Sequence, residues 1–235
     1  KELAAATHRF GADFSIFQVF EAFASTLDTA AWVVLLLLFE LETYVLQKSS
    51  MTPTLTWSFR LTTGVCFMMI CSSLIGYLQG YTWLQGYGEI GMDNLCEVIG
   101  QSWMIELDEF KTIEAETCVS LAEGTAFYKH SSKAIYTDDV FLKATNWLAG
   151  VNVLNSISWI LVVIFLEIAV VFGHKERTSK FSRYFKNMLY AFLLFCAIYW
   201  GIYGDFLEFW DAFLWIIAFV FIELNLLGWG SVHQK

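Results

Sequence analysis

Apolar positions in this chain fall into blocks of about 17 to 27 residues, set off by charged or polar segments. The blocks cover residues 30–46, 57–83, 149–172, 187–203 and 204–229. An α-helix rises about 1.5 Å per residue, so about 20 apolar residues cross a hydrocarbon layer of about 30 Å. The pattern predicts an all-α integral membrane protein, a five-span helical bundle. Ahead of the first block, Phe10, Phe14, Phe17 and Phe20 recur at helical spacing among Asp13, Gln18 and Glu21. That spacing predicts an amphipathic N-terminal helix within residues 1–28, lying on the membrane interface. Asp28 and Thr29 open the first span, where Asp28 suits an N-cap.

Residues 29–83 hold spans one and two, with Pro53 in the polar turn between them. Span two is bracketed by Trp57 and Trp83 and repeats Ser72, Gly76 and Gly80 every four residues. Such a small-residue face admits a close neighbour. Residues 84–148 form the one sizeable segment between spans, with eleven Asp/Glu against four Lys. Within it Met104, Leu107, Phe110 and Ile113 sit at spacings compatible with a helix, which predicts a small helical cap. Cys96 and Cys118 are the only cysteines outside the apolar blocks, and they form a disulfide if the segment faces an oxidising compartment. Residues 149–235 carry spans three to five, with a basic loop at 174–186 between the third and fourth.

Composition sharpens the class. The chain is 57% hydrophobic and 16% charged, where soluble domains hold about 25% charged residues. Its net charge of −9 and lack of a broad basic patch argue against a nucleic-acid partner. Five Lys/Arg in the 174–186 loop place that loop in the cytoplasm. The acidic 84–148 segment is then extracytoplasmic, with the N-terminus outside and the C-terminus inside.

Charged residues inside apolar blocks are the candidate chemistry. Glu223 lies within the final block, where a lipid-facing carboxylate costs on the order of 3 kcal/mol or more. Glu40, Glu42 and Glu167 fall at a similar depth near the inner face, and Arg60 enters from the same side. Asp28, Asp205, Glu208 and Asp211 gather near the outer face. Carboxylates at both mouths and in an inner layer suit binding or relay of a cation or proton, in a channel or transporter alone or as an oligomer. The same residues also suit a buried charge network around Arg60 that fixes helix packing, or side chains that snorkel to the interface.

A metal-dependent membrane enzyme fits less well. Carboxylate-bridged di-metal sites in helical bundles add Glu-x-x-His pairs, whereas His8, His130, His174 and His233 all lie outside the apolar blocks. Cys66, Cys71 and Cys196 read as buried structural thiols. No nucleophile elbow, phosphate loop or zinc-protease motif is present. The expectation is a chain with no cofactor. Beside ion handling stands a second reading: a non-catalytic subunit of a larger membrane complex, binding a partner through its outer loop. The aromatic flank of spans four and five, with Phe195, Tyr199, Tyr203, Phe206 and Trp210, would take part in that contact.

Overall fold

The structure is a computed structural model. It describes residues 7, 18, 19, 22–41, 52–171, 180–203 and 206–232, with the side chains at 39, 40, 166–171, 180–183, 207, 208 and 222–232 excluded. The chain divides into two compact units, Lys1–Val153 and Leu154–Lys235.

In the first unit, α1 (Ala24–Glu40) packs on α2 (Pro53–Leu84). Pro53 does not stand in a loop but opens α2, with Thr52 as N-cap: the Thr52 hydroxyl accepts from the Leu55 N–H at 3.3 Å. Proline suits this first turn because its missing N–H would have no helical partner there. After the two-residue turn Gln85–Gly86 the chain enters a five-stranded sheet: β1 (Tyr87–Ile90), β2 (Ser102–Glu106), β3 (Glu109–Thr112), β4 (Phe127–His130) and β5 (Ile135–Asp138). Strand order is β1-β4-β5-β2-β3. Neighbours are antiparallel except β2 and β5, which run parallel with Ser102 opposite Ile135 and Trp103 opposite Tyr136. β5 passes without a break into α3 (Asp139–Val171).

This sheet overturns the all-α prediction. The segment read as a helical cap is the β2–β3 hairpin. Its two faces are both buried: Trp103 and Ile105 join a core with Leu95, Ile113, Phe127 and Tyr136, while Met104 and Phe110 join another with Leu84, Ile135 and Ala149. A strand apolar on both faces loses the period-two alternation that marks half-buried strands. The first core is roofed by the segments 91–101 and 113–122, stitched by the Cys96–Cys118 disulfide with Cα atoms 5.0 Å apart. The second core is closed by the end of α2 and the start of α3, so the sheet is built onto the helices.

Among the described residues three helices are long and apolar enough to cross a membrane: α2, α3 over Asp139–Phe165, and α4 over Tyr184–Tyr203. α1 and α5 carry shorter apolar stretches, Ala24–Leu38 and Phe209–Phe221. Of the predicted N-terminal amphipathic segment, residues 1–6, 8–17, 20 and 21 lie outside the described residues, and Ala24–Asp28, expected at its end, belong to α1. In the second unit α4 (Lys180–Tyr203) packs on α5 (Phe206–Val232), and a Cβ on Gly201 would stand 3.2 Å from that of Phe209.

Candidate functional site

The sheet domain is the best-defined candidate, and its root shows how it is held. His130, at the end of β4, stacks on Trp83 of α2 with ring centroids 4.3 Å apart and meets Tyr87 of β1 edge-on at 5.1 Å. The His130 Nε2 lies 3.2 Å from the Trp83 carbonyl, and the Ser132 N–H donates to Nδ1 at 3.3 Å. With Nδ1 accepting that proton, Nε2 is the protonated nitrogen and donates to the carbonyl. The Tyr87 hydroxyl donates to the Met104 sulfur at 3.4 Å, tying β1 to β2 on the same face.

The opposite root is a pair of aspartates. The fully buried Asp138 accepts from the Glu123 and Gly124 N–H groups at 2.8 Å through Oδ2, and from the Phe141 N–H at 2.8 Å through Oδ1. The last bond makes it the N-cap of α3. Asp139 accepts from the Thr125 and Ala126 N–H groups at 3.0 and 3.3 Å. Four successive backbone amides are thus clamped by two neighbouring carboxylates. Gly124 is required here, because a Cβ would collide with the Asp139 carboxylate. Sequence reading did not single out these residues. An Asp-Asp pair before an apolar run is an N-terminal helix signal, whereas nothing in the sequence marks His130 as a clasp.

The domain's buried polar groups therefore serve its architecture. Among the described residues no group of three His, Cys, Asp or Glu side chains is arranged to hold a metal ion. Outward-facing carboxylates remain: Glu89, Asp93, Glu97, Glu114, Glu116 and Glu123 are exposed. On the disulfide-bonded roof, Val119 is 82% exposed and Ile99 is 50% exposed.

The carboxylates expected within spans are less completely placed. Asp28 does not cap α1, which starts four residues earlier with Phe23 as N-cap. Its carboxylate bonds the Trp32 side chain one turn on, leaving a buried Oδ1 with no hydrogen-bond partner. Arg60 is exposed on α2, its guanidinium 6.0 Å from the centre of the Trp57 ring, one turn towards the helix start. Glu40 closes α1, Glu167 lies on α3, and Glu208 and Glu223 lie on α5, with side chains outside those described. Asp211 is exposed on α5, while Glu42 and Asp205 lie outside the described residues. Ser156 on α3 is buried with its hydroxyl unpartnered.

The aromatic flank is ordered into ring contacts. Phe206 stacks on Trp210 at 6.1 Å, Phe209 on Phe213 at 5.7 Å, and Tyr199 meets Tyr203 at 4.9 Å. Phe195, Tyr203, Phe206 and Trp210 are exposed. No protein-family model, curated protein or solved structure matches the chain.

Proposed function

We propose that this chain is a multi-pass membrane subunit that presents its acidic, disulfide-bonded sheet domain to a protein partner on the extracytoplasmic side. One observation carries the reading: the domain is rooted in α2 and α3 with two residues between α2 and β1 and none between β5 and α3. A flexible tether would let a domain bind without informing the membrane. Here the Trp83–Tyr87–His130 cluster and the Asp138–Asp139 clamp leave no such tether, so force or order at the domain passes into the helices.

The disulfide supports an oxidising compartment for the domain, and the basic 174–186 segment, expected as a loop but helical from Lys180, supports a cytoplasmic position for the opposite end of α3. In this orientation the N-terminus is extracytoplasmic and the C-terminus cytoplasmic. The partner surface is the carboxylate-rich roof, with Val119 and Ile99 as apolar anchors.

A second reading, cation or proton handling through the intramembrane carboxylates, is favoured by Asp28. Its buried, unpartnered oxygen sits on an apolar helix, where a carboxylate is costly unless it has a role. Flux measurements separate the two. In vesicles reconstituted with the intact chain, the subunit reading expects proton and potassium flux no greater than in protein-free vesicles. Flux above that level which falls in Asp28→Asn, Glu167→Gln or Glu223→Gln would overturn it in favour of ion handling.

A further inference from the structure

Exposed apolar side chains on α2 define a stripe of limited length. Leu61, Val65, Met68 and Ile75 are exposed within about 80° of one another around the helix, and exposed Leu78 lies further round, extending the run to about 26 Å. Aromatic residues mark the levels of its two ends, Tyr81 from a different face: Trp57, 70% exposed, and Tyr81, 38% exposed, stand 24 residues or about 36 Å apart. A bilayer has about 30 Å of hydrocarbon and about 40–45 Å including headgroups, and Trp and Tyr collect at that boundary. The stripe therefore has the length of one hydrocarbon layer with a ring in each headgroup region.

The sheet domain begins at that boundary. At Gly80 a Cβ would stand 2.9 Å from the Leu107 side chain, so the tip of the β2–β3 hairpin rests on α2 beside Tyr81. On the neighbouring helix, a Cβ on Gly150 would stand 3.8 Å from the Tyr81 ring, and the Gln85 amide donates to Asn146 at 2.8 Å. These contacts bring Trp147, 67% exposed, to the same level.

We infer that the sheet domain is seated directly on the lipid headgroup layer, through Tyr81, Trp147 and the hairpin tip at Leu107–Asp108. This rests on the membrane reading given above. It adds a second binding surface to the domain, its underside, whose ligand is the phospholipid headgroup region. The roof around the disulfide is left free in water. The same geometry assigns Arg60, beside Trp57, to the opposite boundary. Arg60 is then an interfacial group rather than a mid-membrane one.

Depth measurement by electron paramagnetic resonance tests this on the intact chain in phosphatidylcholine nanodiscs. A nitroxide amino acid is incorporated in turn at positions 68, 78, 108 and 119, leaving all five cysteines in place. Each labelled chain is first shown to retain the Cys96–Cys118 bond. Oxygen collisions should dominate at 68 and 78, and collisions with a water-soluble nickel complex at 119. At 108 the ratio should be intermediate, matching a headgroup-labelled lipid. A ratio at 108 equal to that at 119 would overturn the seated domain while leaving the membrane reading intact. Nickel access at 68 would overturn the membrane reading itself. Access of neither reagent at 68 would overturn the lipid assignment, because a second protein would then cover that face.

Discussion

Asp138 is a fully buried carboxylate neutralised by backbone dipoles. Hydrogen bonds to charged groups contribute about 1.5–3 kcal/mol each, and an amide left unsatisfied in the interior adds its own cost. Asp138→Ala should therefore destabilise the sheet domain by roughly 3 kcal/mol or more. Hydrogen exchange should become fast at the Glu123, Gly124 and Phe141 amides. A loss under about 1 kcal/mol would show that the clamp is redundant. This residue was only partly legible. Asp138 and Asp139 carry a helix-start signal, but Lys143, Thr145 and Asn146 interrupt the apolar run behind them and pushed the predicted start to residue 149. In the fold those polar positions have specific uses. The Thr145 hydroxyl donates to the Ile105 carbonyl at 3.2 Å, and Asn146 binds Gln85. Arg60 teaches the converse: its place near the start of a long apolar helix was readable from the sequence, but its packing against Trp57 was not.

Among the elements, the disulfide was the most legible because the other three cysteines sit in apolar blocks. It spans 22 residues, and closing a loop of that length contributes roughly 3 kcal/mol through the unfolded chain. Replacing both cysteines by alanine should lower domain stability by that order in urea unfolding; an unchanged midpoint would contradict this. The sheet itself was illegible for a physical reason. Its strands are four or five residues long, and β2 is buried on both faces, so neither length nor alternation announced it. The small-residue stripe was recognised, but its partner was not: at Gly80 the neighbour is the hairpin residue Leu107. Gly80→Leu should force the hairpin off α2 at a cost of about 1–3 kcal/mol. Protease sensitivity at Leu107–Asp108 would report that displacement, and unchanged resistance would show that the hairpin has another anchor.

At the scale of the whole molecule, the lengths of the apolar blocks located the helices but overcounted the spans: five were expected, and among the described residues three helices are long and apolar enough to cross a hydrocarbon layer. What joins them was hidden, because a compact domain between two helices has no length rule of its own. The proposed orientation makes a separate prediction. A membrane-impermeant amine reagent applied to sealed, right-side-out cells should modify the exposed Lys111 and Lys129 but spare Lys175 in the basic loop. The reverse labelling would invert the protein. The central claim, that the domain is a recognition element, is tested most directly by photo-crosslinking in native membranes from a benzophenone amino acid at position 119. The account predicts one discrete adduct with a single protein species, lost when Cys96 and Cys118 are both replaced by alanine and absent when the probe sits at position 68. No adduct at 119, with the domain shown to be folded, would contradict it.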